Sequence, residues 1–254
     1  MDLECVIYEK KEGVAIARLN RPQVLNAMNK QLWLDLQAAL DDAREDDAIK
    51  VVVITGEGRA FSTGADLKES KNRTIEAYRD YLVSLQETSR TVIRFEKPTI
   101  AAINGFAIGS GYELALACDI RIAAEEAKIG SPEAKVTSSV TGGAFRLVQE
   151  LIGPGKAREL LFTGEYIDGV EAMRIGLVNQ AVPLDKLMDT VVQMAAKIAE
   201  NSAFSLKMIK KGLNLARGET SLEALMDFEV EACLACVSTK ERQASLTAFE
   251  DRKK

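Results

Sequence analysis

The chain contains no histidine among its 254 residues. Any proton transfer that it carries out must therefore use other groups, and carboxylates are the best candidates. Two glutamates stand out because each follows a glycine-containing turn. Glu113 follows Gly109-Ser110-Gly111, and Glu133 ends the segment Gly130-Ser131-Pro132-Glu133. The absence of histidine makes this pair the most informative feature of the sequence.

Cysteine is scarce, and its spacing does not complete a zinc site. The four cysteines are Cys5, Cys118, Cys233 and Cys236. The last two form a C-x-x-C in a helical pattern, where this spacing only puts two small apolar side chains on one face. Neither a second pair nor a histidine completes a zinc set, so we predict packing roles and no metal. The lack of a disulfide framework fits a reducing compartment.

Long apolar runs and excess positive charge are also missing. No uncharged apolar run approaches the ~20 residues that a membrane-spanning helix needs. The N-terminal residues Met-Asp-Leu-Glu-Cys lack the basic and apolar regions of a signal peptide. A net charge of −5 and a pI of ≈ 5.2 make general binding to nucleic acid or anionic membranes unfavourable. We therefore expect a cytoplasmic protein that binds neither nucleic acid nor membranes.

Strand and helix patterns alternate over roughly the first 180 residues and predict an α/β core with parallel strands. Strands are predicted at 4–9, 14–19, 51–55, 99–103, 119–123 and 177–182, with the first two forming a hairpin around Gly13. Helices are predicted at 29–47, 74–95, 113–118, 145–152, 156–163, 170–175, 184–200, 203–216, 220–236 and 239–250. Residues 57–73 are predicted to be a long loop. The strands stop near residue 182, so an all-helical region follows the core.

Two glycine-containing segments follow strands and could present backbone N–H groups to a ligand. In Phe61-Ser62-Thr63-Gly64-Ala65-Asp66-Leu67-Lys68, Gly64 can adopt a positive φ and direct the N–H of Ala65 into a cleft. The alternative is a surface turn. In 104–113, the N–H groups near Ser110 lie at a helix N-terminus, where negative charge is favoured. By itself, Glu113 could be a first-turn glutamate that only complements the helix dipole.

The second glutamate and the residues after it form two further segments. Pro132 fixes its own φ and stiffens the approach to Glu133, although a solvated loop acid is the simpler interpretation of this residue alone. The glycines of Thr141-Gly142-Gly143-Ala144-Phe145-Arg146 permit close backbone approach, or they form an ordinary N-cap turn. Taken together, carboxylates and free N–H groups at strand ends predict acid–base chemistry next to a carbonyl.

These segments resemble the crotonase (enoyl-CoA hydratase/isomerase) superfamily over nearly the whole chain. Besides 61–68, the resemblance rests on Asn20-Arg21-Pro22 with Leu25-Asn26-Ala27, on 97–119, and on Thr247-Ala248-Phe249-Glu250-Asp251-Arg252. It implies a crotonase-like spiral of ββα units with a C-terminal all-helical region. Residues 1–190 would form the spiral core with the acyl-CoA site, and 191–254 a helical oligomerisation region. It also implies a homotrimer or a dimer of trimers.

The resemblance assigns roles to particular residues. The N–H groups of Ala65 and Ser110 would hold a thioester oxygen, and coenzyme A would be part of the substrate rather than a separate cofactor. Glu113 and Glu133 fall on the two glutamate positions of the hydratases, and their separation (133 − 113 = 20) matches the hydratase spacing. The residues implied to contact coenzyme A or substrate are Ala65, Asp66, Leu67, Lys68, Gly109, Phe249 and Arg252.

The implied activity is that of an enoyl-CoA hydratase, with Glu113 as the water base and Glu133 as the acid, or with the two sharing both roles. Family alternatives are a double-bond isomerase, a cyclic dienoyl-CoA hydratase, and a non-catalytic acyl-CoA-binding or RNA-binding relative. Dehalogenases of the family rely on a histidine, which this chain lacks. The acidic charge balance argues against RNA, and the presence of both glutamates argues against lost catalysis.

Three segments depart from the family pattern. Ser110 replaces the middle residue of a Gly-Gly-Gly, which keeps the N–H and adds a side chain to the site. Residues 136–143 lack the family's proline and are one residue shorter, and we expect this loop to influence the substrate. Residues 239–242 are less acidic than the family pattern, which could change the coenzyme A contacts.

Overall fold

The computed structural model describes residues 2–70, 74–218, 226, 228, 230 and 231. Of the predicted helix 220–236, the described residues are helical. The C-x-x-C pair, the predicted helix 239–250 and the predicted coenzyme A contacts of Phe249 and Arg252 lie outside the described residues. Within the described ranges, no helix is long and apolar enough to cross a lipid bilayer.

Strands and helices alternate along the first two thirds of the chain. The strands are β1 (Val6–Lys11), β2 (Val14–Leu19), β3 (Val51–Gly56), β4 (Ala60–Ser62), β5 (Thr99–Ile103), β6 (Phe106–Ile108), β7 (Ile120–Ala124), β8 (Lys128–Gly130) and β9 (Gln180–Val182). The helices are α1 (Lys30–Glu45), α2 (Leu67–Ser70), α3 (Ile75–Arg94), α4 (Ser110–Ala117), α5 (Ala144–Thr163), α6 (Gly169–Arg174), α7 (Leu184–Ala199) and α8 (Ala203–Ala216). Short 3-10 turns occur at Pro22–Val24 and Glu133–Val136.

A six-stranded sheet in the order β1-β2-β3-β5-β7-β9 forms the centre of the fold. The first two strands form the predicted antiparallel hairpin, whose turn residues Glu12 and Gly13 both have positive φ angles of 51° and 83°. Such a turn matches the twist of the flanking strands. The remaining neighbours pair in parallel, as the alternation of strand and helix patterns predicts. All residues of β3 are buried, as is typical of a central parallel strand.

A second, three-stranded parallel sheet in the order β4-β6-β8 determines where the site lies. Each of its strands follows a strand of the large sheet, and helical residues come next along the chain. Three successive ββα units therefore wind through the core, which confirms the predicted spiral. The segments after β4, β6 and β8 leave the same small sheet, so they lie near one another.

The structure corrects several predicted boundaries. Residues 57–73 are not one loop, because they contain β4 and α2. The strand predicted at 177–182 contains only Gln180–Val182, and the buried Leu177 and Val178 belong to the turn after α6. The two helices predicted around 153–155 correspond to the two halves of α5, which is interrupted by non-helical angles at Gly153 (φ 74°, ψ 161°).

The large sheet is covered on both faces. On one face, Leu187, Val191 and Ala195 of α7 are spaced by four residues and pack against Val51 and Val53 of β3 together with residues of β5 and β7. On the other face lie α1, α3 and α4. Asn29 is the N-cap of α1, because its side chain accepts a hydrogen bond from the N–H of Leu32 (3.0 Å). This packing leaves α4 buried at the centre of the molecule.

Candidate active site

In the turn after β4, the N–H of Ala65 points away from the neighbouring segment at Met28. The N–H of Met28 donates to the carbonyl of Gly64 (2.8 Å), and the N–H of Asp66 donates to the carbonyl of Met28 (3.0 Å). Because these bonds come from the residues on either side of Ala65, its own amide faces the opposite direction. Among the described residues no acceptor is found for this N–H. Ala65 is half-buried, so a ligand can reach it.

The N-terminal motif holds this turn in place. The fully buried Asn26 accepts from the N–H of Arg21 (2.8 Å) and donates to the carbonyls of Glu57 and Ala60. The guanidinium of Arg21 donates to the carbonyl of Ala27 (2.5 Å) and to the carboxylate of Asp66 (2.9 Å). The residues 20–27 that carry the family resemblance therefore act as a scaffold for the Ala65 turn.

Asp66 is tied to this scaffold rather than directed at open solvent. Partial burial raises the pKa of its carboxyl, but hydrogen bonds from Arg21 and from the N–H of Lys68 outweigh this effect and hold the pKa below its ordinary value. Leu67 and Lys68 are exposed next to it. The three residues border the Ala65 turn, and their contacts with coenzyme A stay a prediction.

The second turn places the N-terminus of α4 against the first. Gly109 has a positive φ of 56° and precedes Ser110, the first residue of α4. A methyl group on Gly64 would lie 3.0 Å from the nitrogen of Ser110 and 2.8 Å from the carbonyl oxygen of Ile108. The two glycine turns are thus in direct contact. The N–H of Ser110 belongs to a first helical turn, where the helix leaves donors free and favours negative charge.

Glu113 lies one turn into α4 and is only 4 % exposed. One carboxylate oxygen, Oε1, accepts from the N–H of Thr141 (2.5 Å), and Oε2 accepts from the Thr141 hydroxyl (2.7 Å). Burial raises the pKa of Glu113, and the nearby charge of Glu133 raises it further, whereas hydrogen bonds from Thr141 and the side chain of Ser110 oppose the rise. The result is a buried carboxyl that holds a proton more tightly than an exposed glutamate.

Glu133 lies against the second turn, at Gly109. It begins the 3-10 turn after β8, and the Ser131 hydroxyl donates to its Oε2. A methyl group on Gly109 would lie 2.9 Å from Glu133 Oε1 and 3.9 Å from the Cα of Gly64. The half-buried Glu133 carboxylate is therefore adjacent to the backbone that carries the Ser110 N–H. Two carboxylates and two free N–H groups come together at this point.

A cavity of ≈ 330 Å³ opens beside Glu133, between the loop 131–140 and α5. Its lining is mainly apolar and comes from Val140, Phe145, Ala157, Leu161 and Phe162. Ser138 and Ser139 of the atypical loop also line it. An apolar chain attached to a carbonyl at the two turns would fit this shape and polarity.

The structure brings together Ala65, Gly109, Ser110, Glu113 and Glu133. It also gives functions to residues outside the predicted site: Arg21 and Asn26 support the Ala65 turn, and Thr141 contacts Glu113. A signal for Thr141 exists in the sequence, because it precedes Gly142-Gly143, but that signal predicts an N-cap equally well. Within the described residues no group of three or more histidine, cysteine, aspartate or glutamate side chains could hold a metal ion.

Known proteins are similar to this chain in sequence and architecture. Residues 9–254 match the family described as enoyl-CoA hydratase/isomerase. The crotonyl-CoA hydratase of Syntrophomonas wolfei is 36% identical over 255 residues, which cover 100% of this chain and 98% of that protein. The short-chain-enoyl-CoA hydratase of Clostridium acetobutylicum is 36% identical over 256 residues, covering 100% and 97%. The crystal structure of an enoyl-CoA hydratase from Bacillus anthracis superimposes with a TM-score of 0.94 at 34% identity, covering 98% of this chain and 97% of that one.

Proposed function

Because the chain belongs to the enoyl-CoA hydratase/isomerase family, we propose that it is an enoyl-CoA hydratase. It adds water reversibly across the double bond of a 2-enoyl-CoA and gives a 3-hydroxyacyl-CoA. The observation that carries the proposal is the meeting of Glu113 and Glu133 at the two turns with free N–H groups. Coenzyme A enters as part of the substrate.

The N–H groups of Ala65 and Ser110 bind the thioester oxygen. When hydroxide adds at C3, electrons move through the double bond onto this oxygen and an enolate forms. Two fixed donors at that atom stabilise the enolate more than the neutral thioester, and loss of one such donor typically costs ~3 kcal/mol. The dipole of α4 adds to this effect because its positive end lies at Ser110.

The two glutamates move the protons. Glu113 takes a proton from water as its oxygen attacks C3, and Glu133 gives a proton to C2, so that one water is added in total. A proton then passes from Glu113 back to Glu133, which restores both groups for the next turnover. The raised pKa of Glu113 makes it a stronger base than an exposed carboxylate. Since the charge of Glu133 acts on Glu113, the two carboxylates can share both roles.

The remaining contacts follow from the same family assignment. Residues 65–68 and Gly109 contact coenzyme A or the acyl group, while Phe249 and Arg252 meet the nucleotide. The acyl group occupies the cavity beside Glu133. The active form is a homotrimer or a dimer of trimers.

Steady-state hydration of crotonyl-CoA, followed by the loss of enoyl absorbance, tests the proposal. Glu113→Gln and Glu133→Gln keep the shape of each side chain but cannot exchange a proton. We expect each to lower kcat by at least roughly 100-fold with little change in KM. Glu126→Gln, in the exposed turn between β7 and β8, is the matched control and should behave as the wild type. Wild-type kcat in either active-site variant would refute the two-glutamate mechanism.

Double-bond isomerisation is the second candidate, because residues 138–140 of the atypical loop line the cavity next to Glu133. A loop that kept water out of this cavity would leave Glu133 free to move a proton between carbon atoms. Mass spectrometry of the products separates the two reactions, since hydration adds the mass of one water and isomerisation adds none.

A further inference from the structure

We propose that Thr141 is a positioning residue of this site, which fixes the Glu113 carboxylate through two hydrogen bonds from one amino acid. The inference rests on the proposed function of Glu113 as the water base. Thr141 itself is not assigned contact with substrate. Thr141 lies in the loop 136–143, directly before Gly142 and Gly143.

Two hydrogen bonds from Thr141, which we call the Thr141 clamp, hold both oxygens of the Glu113 carboxylate. The N–H of Thr141 donates to Glu113 Oε1 at 2.5 Å, and its hydroxyl donates to Oε2 at 2.7 Å. Each carboxylate oxygen therefore has a short contact to the same residue, which prevents rotation about the last bond of the glutamate side chain. A rotating carboxylate would present its basic lone pairs to C3 only part of the time.

The backbone after Thr141 restricts the position of this residue. Gly142 and Gly143 have φ angles of 59° and 79°, a region that is strained for residues with a side chain. A methyl group on Gly142 would lie 2.6 Å from the Ser89 hydroxyl of α3 and 3.2 Å from the Cβ of Glu113. The turn is thus wedged between α3 and α4, and little room is left for Thr141 to move.

The N-cap interpretation does not explain this threonine. The residue that caps α5 is Gly143, and no side-chain hydrogen bond caps that helix. The Thr141 carbonyl accepts from the N–H of Ala144 (2.9 Å) and closes the turn, while the hydroxyl and the N–H both point to Glu113. The side chain of Thr141 is therefore used for the carboxylate and not for the helix.

Removal of the hydroxyl has a predictable electrostatic effect. A negative charge on Glu133 disfavours the charged form of Glu113 and so raises the pKa of Glu113. The other polar neighbours are neutral: the hydroxyls of Ser89 and Ser110, and the Tyr112 phenol, whose pKa burial raises. Since the Thr141 hydroxyl opposes the rise in the pKa of Glu113, its loss leaves that pKa higher and a smaller fraction of the base ionised.

Thr141→Val removes only the hydroxyl donor, because the branched shape and the backbone N–H are kept. With crotonyl-CoA we expect kcat to fall roughly 10-fold or more, KM to change little, and the acidic limb of the kcat/KM profile to move to higher pH. Thr141→Ser restores the hydroxyl and should restore both values. Thr190→Val on α7, where the hydroxyl donates only to the carbonyl of Lys186, should match the wild type.

A second measurement does not depend on turnover. In protein labelled with 13C at glutamate carboxyls, the Glu113 signal is the one absent from Glu113→Gln, and its titration should move to higher pH in Thr141→Val. If the wild type does not hydrate enoyl-CoA but the Glu113 titration shifts to higher pH in Thr141→Val, the Thr141 clamp is supported and the proposed function is refuted. An unchanged titration together with an unchanged kcat would overturn the clamp, and so would a loss of kcat that serine does not restore.

Discussion

At Gly64 a single methyl group would close the space between the two turns of the candidate site. Its φ is 90°, and a methyl group there would lie within 2.8 Å of one backbone oxygen and 3.0 Å of the Ser110 nitrogen. Neither neighbour is a flexible side chain, so the backbone itself would have to shift. The residue is glycine both for its conformation and for the close approach of the Ser110 N–H.

We therefore expect Gly64→Ala to lower kcat/KM by roughly 100-fold or more, because one N–H donor is displaced from the thioester oxygen. Steady-state kinetics on crotonyl-CoA and circular dichroism of the same samples measure activity and folding together. The control is Gly155→Ala, since a methyl group on Gly155 meets no atom within 4 Å. Equal activity of the two variants would show that the Gly64 turn does not hold the thioester.

At the scale of single elements, the two ends of α4 have different roles. The N-terminus lies at the candidate active site, and the C-terminus is held by a buried side chain of the fold. Its N-terminus carries Ser110 and Glu113, and its C-terminus meets Arg121 of β7. This guanidinium is 4 % exposed and donates to the carbonyls of Ala115, Leu116 and Cys118, and to that of Leu177. A cation at the carboxyl end of a helix is favourable, and here it also donates to the carbonyls of Leu116 and Cys118 at the end of α4.

Arg121→Met keeps an unbranched side chain but removes the side-chain donor of the Leu116, Cys118 and Leu177 carbonyls. We expect a loss of about 2–4 kcal/mol in the free energy of unfolding, with a fall in melting temperature of about 2–4 °C for each kcal/mol. Differential scanning calorimetry measures this change. Arg90→Met, which removes an exposed pair with Glu87 on α3, should lower the melting temperature by less than 2 °C on the same relation. A similar effect of both substitutions would rule out a special role for Arg121.

The elements themselves were predictable to different degrees. The central strands β3, β5 and β7 follow from their apolar runs, and the helices α1, α3 and α7 from their amphipathic spacing. The strands β4, β6 and β8 were missed because each has only three residues, too few to show a period of two. They form because three segments that are distant in sequence pair in parallel next to the large sheet, so they depend on the tertiary structure.

At the scale of the whole molecule, the single chain leaves large apolar side chains exposed. Phe162 at the end of α5 is 75% exposed, and Val170 and Met173 on α6 are 49% and 43% exposed. The last two are three residues apart and lie on one face of the helix. Neighbouring exposed apolar side chains such as Val170 and Met173 are typical of protein–protein interfaces. We therefore place part of the proposed subunit contact on α6.

Light scattering coupled to size exclusion should give a mass of three or six times the 27.7 kDa chain. The double variant Val170→Glu with Met173→Glu buries charge in the proposed contact and should shift the protein to smaller species. Lys11→Glu, at the exposed hairpin tip, introduces negative charge elsewhere and should leave the mass unchanged. A double variant with the wild-type mass would exclude α6 from the interface.

The sequence by itself determined the chemical parts of the site and their order along the chain. The absence of histidine, the glycines at positions 64 and 109, and Glu113 and Glu133 were enough to predict carboxylates beside free N–H groups. These are local properties, since a glycine permits a positive φ and a helix start leaves N–H groups free wherever the chain folds.

Only the tertiary structure decided how these parts are held. Thr141 reaches Glu113 across 28 residues, and Asn26 reaches Ala60 across 34. Contacts of this kind leave no periodic pattern, because they depend on which loops the two sheets bring to the same edge. The roles of Thr141, Asn26 and Arg21 therefore became visible in the folded chain, where buried polar groups must find partners that are distant in sequence.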